Sequence, residues 1–306
     1  MRQITTTMRE KYKLNIDYLK LCYRQPECVF ESIAGTVGDI FYGDGYELLI
    51  TERDITILRA EVLIQHDGDI MSLGTLMLNK GSKFKGKAFF EYSNKAFYET
   101  AMLSPEKANY IPYFDYIADD LGLDYNNCTR VDIALDTNIN VLTRVKKNIR
   151  NHKELDMYLC RHKIADANEK MPGYGEYYAS TRKRLIKRPE IIIEQAKEEG
   201  TRLKIYDKTR ELEEHRDDKA DRYFNWLGEK MDREKDHIYR VEVSIRNEDL
   251  KDIFSKCRDR FIPEKQDLPF WLQMTNDEWL SCYFYEGLSS LLYFRNRETG
   301  YRVEAF

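Results

Sequence analysis

The sequence predicts an α+β fold: a central, mainly antiparallel β-sheet with helices packed on one of its faces. Three observations predict it. Residues 28–92 are rich in strand-like runs, punctuated by Gly43, Asp44-Gly45 and Asp67-Gly68. From Ser104 onward, helical and strand patterns alternate. Three later segments, near 129–136, 202–208 and 240–246, alternate strictly between apolar and ionisable residues.

The elements follow in order. Residues 10–25 read as a short helix, because Tyr12, Ile16, Leu19 and Leu21 lie in rough helical spacing. Strands are predicted at 46–51, 55–65, 69–78 and 87–92. Ser104-Pro105-Glu106 opens a helix, with a capping serine and proline at the first helical position. Tyr110, Phe114, Ile117 and Leu121 form its apolar face, and Gly122 ends it. The strand at 129–136 follows, then a helix over 140–160 with Arg144, Lys146, Lys147 and Arg150 as a cationic side. Residues 163–200 are the least regular, with a strand at 176–180 and a basic loop at 181–188. Strand 201–207 leads to a charged helix over 209–232, and strand 238–246 to a helix near 248–258. Thr275-Asn276-Asp277-Glu278 reads as a capping box. A strand at 291–294 and a hairpin through Thr299-Gly300 close the chain. Two regions are expected: residues 1–250 as the functional domain, and 251–306 as a helical extension.

Composition narrows the function. The chain has 306 residues, 42% hydrophobic and 33% charged, enough for a sizeable core. It has no apolar run long enough to span a bilayer. Residues 1–10 lack the apolar centre of a secretory signal, so a cytoplasmic protein without a membrane partner is expected. The six cysteines show no paired spacing and read as reduced, mostly buried thiols. The five histidines form no metal-binding pattern, so any metal should be a hard ion held by carboxylates, Mg²⁺ or Mn²⁺. A net charge of −4 argues against coating nucleic acid by bulk charge but leaves room for a local basic cleft. No glycine-rich phosphate loop is present.

The three alternating strands carry the chemistry. Arg130, Asp132 and Asp136 share one face of the first. Arg202, Lys204, Tyr206 and Lys208 share one face of the second, and Arg240, Glu242, Ser244 and Arg246 one face of the third. If the strands share a sheet, Asp132, Asp136 and Glu242 could gather oxygens for a divalent cation. The competing reading pairs these carboxylates with Arg130 and Arg240 as face residues. Taken alone, Tyr206 reads more simply as a packing residue; neighbouring Lys204 and Lys208 would favour its phenolate. The run Arg182-Lys183-Arg184-Leu185-Ile186-Lys187-Arg188 is either a phosphate-binding patch or a solvated loop.

These residues resemble the Rep-trans family: rolling-circle replication initiators of Gram-positive plasmids, and relaxases of integrative conjugative elements and phages. Residues Arg130–Asp136, Arg202–Lys208 with Glu211, and Arg240–Glu242 are similar to three family motifs, in family order. The resemblance covers roughly residues 127–246. It implies metal-dependent, tyrosine-mediated nicking and rejoining of single-stranded or extruded origin DNA. Tyr206 would be the nucleophile, and Asp132, Asp136 and Glu242 would hold Mg²⁺ or Mn²⁺. Arg130, Arg202, Arg240, Lys204 and Lys208 would steady phosphate charge. Arg182, Lys183, Arg184, Lys187 and Arg188 would bind DNA, alongside Arg202 and Arg240. A host helicase and a second copy of the chain are the further partners expected. The family's turn before the tyrosine strand is matched only loosely by Tyr177–Lys183 and lacks its glycine, so Tyr177 and Tyr178 stand as rival nucleophiles. Two alternatives stay open: a non-catalytic DNA-binding regulator on the same fold, and a metal-dependent nuclease that uses water.

Overall fold

The fold is α+β, built on a large antiparallel sheet with helices. The structure is a computed structural model that describes residues 11–66, 69–81, 83–92, 96–97, 111–164, 178–195, 200–214, 219–261 and 277–303. The strands are β1 (Tyr12–Arg24), β2 (Ile40–Tyr42), β3 (Glu47–Arg53), β4 (Ile57–His66), β5 (Asp69–Asn79), β6 (Lys87–Tyr92), β7 (Asp124–Thr137), β8 (Leu155–Leu159), β9 (His162–Ile164), β10 (Ile191–Glu194), β11 (Arg202–Asp207), β12 (Tyr239–Arg246), β13 (Leu292–Asn296) and β14 (Arg302–Val303). The helices are α1 (Glu27–Ser32), α2 (Ile111–Asp120), α3 (Val141–Arg150), α4 (Tyr178–Lys187), α5 (Lys208–Glu214), α6 (Lys219–Leu227), α7 (Asn247–Phe261) and α8 (Asp277–Leu291), with a 3₁₀ turn at Gly228–Lys230. Ten strands form one sheet in the order β10-β11-β12-β7-β1-β6-β5-β4-β3-β2, and four form a second, β14-β13-β8-β9.

The chain divides into two compact units. One holds residues 16–133 and 244–283; the other holds 1–15, 134–243 and 284–306.

In the first unit, β3 to β6 form an antiparallel meander. Leu48, Ile50, Leu58, Ala60, Val62, Leu76, Leu78, Ala88 and Phe90 are all but fully buried along it. A bulge between Val62 and Leu63 lies across from Gly74, whose φ of 143° and closeness to the Glu91 carbonyl leave no room for a side chain. Helix α2 ends in a left-handed cap. Gly122 has φ 66°, Leu123 N–H donates to Ala118 O, and Gly122 N–H donates to Asp119 O. The sequence placed that stop correctly; the helix opening at Ser104 lies outside the described residues.

In the second unit, α3 buries Val141, Val145 and Ile149, and Asn140 caps it by accepting from Thr143 N–H at 2.8 Å. The small sheet packs Leu155, Met157, Leu159, Ile164, Leu292 and Phe294 inward. Hairpin β8–β9 turns on Cys160 and Arg161, both with positive φ.

Several sequence expectations are corrected. Residues 12–24 form strand β1, not a helix. Leu14, Ile16, Leu19, Leu21 and Tyr23 follow two period-two runs that slip phase between Ile16 and Leu19, which imitates helical spacing. The sheet order puts β1 between β6 and β7, so its backbone groups find partners on both sides. The helix read over 140–160 stops at Arg150 because Asn151 N–H turns back to Lys147 O and Asn148 O, and β8 follows. Residues 178–187 form helix α4, so the basic run lies on a helix rather than in a loop. The helix read over 209–232 is broken into α5, α6 and the 3₁₀ turn, with Gly228 at φ 59°. The capping residues Thr275 and Asn276 lie outside the described residues.

Candidate functional site

The motif strands β11, β12 and β7 are direct neighbours in the large sheet. Lys208 N–H donates to Ile238 O while Tyr206 faces Glu242, so β11 and β12 run antiparallel. Asp207 ends β11 and caps α5 by accepting from Arg210 N–H at 3.0 Å. Thr209 Oγ1 accepts from Ile238 N–H at 2.8 Å and holds the junction to the start of β12. That junction fixes Lys208 directly beyond the strand that carries Tyr206.

The second unit brings Tyr206 and Glu242 together. Tyr206 Oη donates to Glu242 Oε2 at 3.3 Å. Lys204 Nζ lies 4.2 Å from the tyrosine ring centroid and Lys208 Nζ 5.9 Å. Lys208 is buried and paired to Glu211 Oε2 at 2.5 Å. Lys204 pairs with Glu190 at 3.7 Å, and Arg202 with Glu194 at 2.9 Å. Tyr206 itself is 8% exposed.

Beside them in this unit lies a saturated ion pair. Asp136 and Arg240 both have fully buried side chains. Arg240 Nε donates to Asp136 Oδ1 at 2.7 Å, and a terminal guanidinium nitrogen donates to Oδ2 at 2.8 Å. Asn15 Nδ2 adds a donor to Oδ2 at 3.2 Å. The buried Tyr223 ring of α6 lies 5.5 Å from the Arg240 guanidinium and 5.4 Å from Lys208 Nζ. Lys13 Nζ donates to Trp226 O at 2.6 Å and sits 3.6 Å from the Trp226 ring centroid. Burial, reinforced by Lys230 and partly offset by Asp136, lowers the Lys13 ammonium from 10.5 to about 8.

In the first unit, Arg130 forks onto Asp132, with Nε to Oδ1 at 2.8 Å and a terminal nitrogen to Oδ2 at 2.5 Å. The guanidinium lies 4.3 Å from the Tyr18 ring centroid. Burial pushes the Asp132 carboxyl up, against the lowering pull of Arg130 and the Ser244 hydroxyl.

The carboxylates expected to hold a metal are therefore engaged. Both oxygens of Asp132 and both of Asp136 accept from arginines, and Glu242 accepts from Tyr206. Among the described residues no group of three or more His, Cys, Asp or Glu side chains is placed to hold a metal ion. As arranged, neither Asp132 nor Asp136 leaves a carboxylate oxygen without an arginine donor.

A solved structure resembles the chain. It is the rolling circle replication initiator protein from Geobacillus stearothermophilus, with a TM-score of 0.40 and 13% identity over 94% of this chain and 88% of that one. No family model matches the chain, and no curated protein does.

The basic run divides by helix face. Arg182 is buried and donates to Ile149 O at 3.4 Å and Ile164 O at 3.2 Å, so it holds α4 in place instead of facing solvent. Lys183, Lys187 and Arg188 are exposed, and Arg184 is half-buried. Tyr177 lies outside the described residues. The sequence reading missed Lys13, Asn15 and Tyr223. For the first two the signal was present: Lys11, Lys13, Asn15 and Asp17 alternate with apolar residues, a strand pattern hidden by the helical reading. No described helix is long and apolar enough to cross a membrane.

Proposed function

We propose that the chain is a replication initiation protein or relaxase that nicks and rejoins DNA through a tyrosine in rolling-circle replication. One observation carries this reading: the Tyr206 hydroxyl rests on the Glu242 carboxylate, with Lys204 and Lys208 beside its ring. In the reaction, Tyr206 Oη bonds to a DNA phosphorus and the bond from phosphorus to a sugar oxygen breaks. The phenolic proton passes to Glu242. The departing sugar oxygen takes a proton from solvent, and the two cations steady the phosphate charge. Rejoining runs the same exchange backward, because the phosphotyrosine keeps the bond energy. The motif resemblance of residues 127–246 supports the same assignment.

The non-catalytic DNA-binding reading is favoured by a different observation. Tyr206 is buried, and arginines neutralise both Asp132 and Asp136. One experiment separates the two. Wild-type protein and Tyr206→Phe are incubated with single-stranded DNA pools, with Mn²⁺ and with EDTA, and then denatured. The nicking reading expects a covalent adduct on wild type that mass spectrometry maps to Tyr206 and that the variant lacks. An adduct that persists in Tyr206→Phe and maps to Tyr178 would move the nucleophile to α4. No adduct in any condition would leave the binding reading.

A further inference from the structure

The small sheet β14-β13-β8-β9, which carries none of the three motif segments, has two unlike faces. One is the apolar face described above. The other displays Tyr158 on β8, Tyr293 and Arg295 on β13, Arg302 on β14 and Lys163 on β9. Register places them together: Tyr293 opposite Tyr158, Lys163 opposite Tyr158, and Arg302 opposite Arg295. The two tyrosine rings stack with centroids 4.4 Å apart and planes 9° apart. The Arg295 guanidinium lies 5.6 Å from the Tyr158 centroid and 5.8 Å from that of Tyr293. The Arg302 guanidinium lies 5.0 Å from the Tyr293 centroid. The carboxylate on this face, Asp156, is held by Lys163 at 2.6 Å and by Arg297 at 2.8 Å.

We infer that this face binds single-stranded DNA. Among the described residues of β8, β9, β13, β14 and their turns, Lys163, Arg295, Arg297 and Arg302 share this face with the carboxylate of Asp156, in a chain whose overall charge is −4. Local positive charge on an acidic protein suits a phosphate backbone. The aromatic residues make the face more than an anion patch. The ring contacts, and for Arg302 a bond from a terminal guanidinium nitrogen to Ser289 Oγ at 2.5 Å, aim the two arginines, and a guanidinium carries further N–H groups that can reach phosphate oxygens. Unpaired bases can stack against the tyrosines, which a duplex cannot offer without opening. In a protein that nicks, such a face would hold the single strand away from the tyrosine. To that extent the inference rests on the function proposed above, and its test uses no chemistry.

The test is fluorescence anisotropy with labelled dT20, and with a blunt duplex of the same length, in EDTA across a salt series. The proteins are wild type, Arg295→Gln/Arg302→Gln, and Tyr293→Ala. Wild type should prefer dT20. The arginine variant should bind dT20 about ten-fold more weakly, with a salt slope shallower by about 1.4, near 0.7 for each lost phosphate contact. The tyrosine variant should weaken dT20 about ten-fold, as for the loss of a stacked base, and leave the salt slope unchanged. The arginine positions are exposed, so that variant should melt as wild type does. Unchanged dT20 affinity and slope in a folded arginine variant would overturn the inference, as would equal loss for dT20 and duplex. Either result would leave the Tyr206 adduct experiment standing, and absence of an adduct would leave this binding result standing.

Discussion

Replacing Asp136 by Asn tests how the motif carboxylates are used. The side chains of Asp136 and Arg240 are both fully buried and joined by two charge-assisted hydrogen bonds, at 2.7 and 2.8 Å. Asn keeps the shape but removes the charge. It also turns an amide donor toward a guanidinium that can only donate. The guanidinium stays buried without its counter-charge, and breaking a buried pair from one side costs about 3–5 kcal/mol. That is a large part of the roughly 5–15 kcal/mol that holds a typical domain folded. At about 2–4 °C per kcal/mol for a unit of this size, melting should fall by roughly 6–20 °C. The assay is thermal and urea unfolding followed by circular dichroism, in EDTA and in Mn²⁺. The ion-pair reading expects the same loss in both. A metal-ligand role expects wild type to gain stability with Mn²⁺ and Asp136→Asn to lose that gain. The double variant Asp136→Leu/Arg240→Met should lose much less than the two single changes added together, since apolar replacement of a whole buried pair is often close to neutral. Melting of Asp136→Asn within about 2 °C of wild type would refute the reasoning.

Further outcomes follow from the same geometry. Gly74→Ala should destabilise by at least ~2 kcal/mol in urea unfolding, because a Cβ there would lie 2.1 Å from Glu91 O at a φ of 143°. Replacing Cys160-Arg161 by Asn-Gly should raise stability by about 1 kcal/mol in the same assay, since both positions have positive φ and a two-residue hairpin turn favours that pair. Lys13 is lowered to about 8 in the folded state, so between about 8 and 10.5 the unfolded chain binds the extra proton. The penalty for burying the ammonium is then full below pH 8 and relieved as pH rises. Lys13→Met should flatten that rise, read as the difference between the wild-type and variant stability curves from pH 7 to 10.

Much of the fold was legible because strand periodicity is local. Runs such as Leu48-Leu49-Ile50 and Lys87-Ala88-Phe89-Phe90, bounded by turn residues, named β3 to β6 nearly to the residue. Gly122 named the end of α2 because a left-handed cap needs it. The failures came where a neighbouring strand decided the outcome. β1 carries a phase slip that a helix could also satisfy, and its place between β6 and β7 settles the matter. β8 is a five-residue strand whose alternation of Leu155, Met157 and Leu159 is shorter than the helical pattern running into it. The site shows the same boundary. Alternation put Tyr206 and Glu242 on one surface, and strand order made them neighbours. It could not tell a carboxylate open to a metal from one closed by an arginine, because both need the same residue on the same face. Asp136 and Arg240 lie 104 positions apart, and only the register of β12 against β7 makes them partners. Arg182 marks the same limit on a helix. Five basic residues in eight read as one surface, yet helical geometry turns Arg182 inward to the carbonyls of Ile149 and Ile164 and leaves Lys183, Lys187 and Arg188 outside. Charge density in a sequence therefore locates a candidate phosphate surface, and periodicity decides which of its members can reach a phosphate.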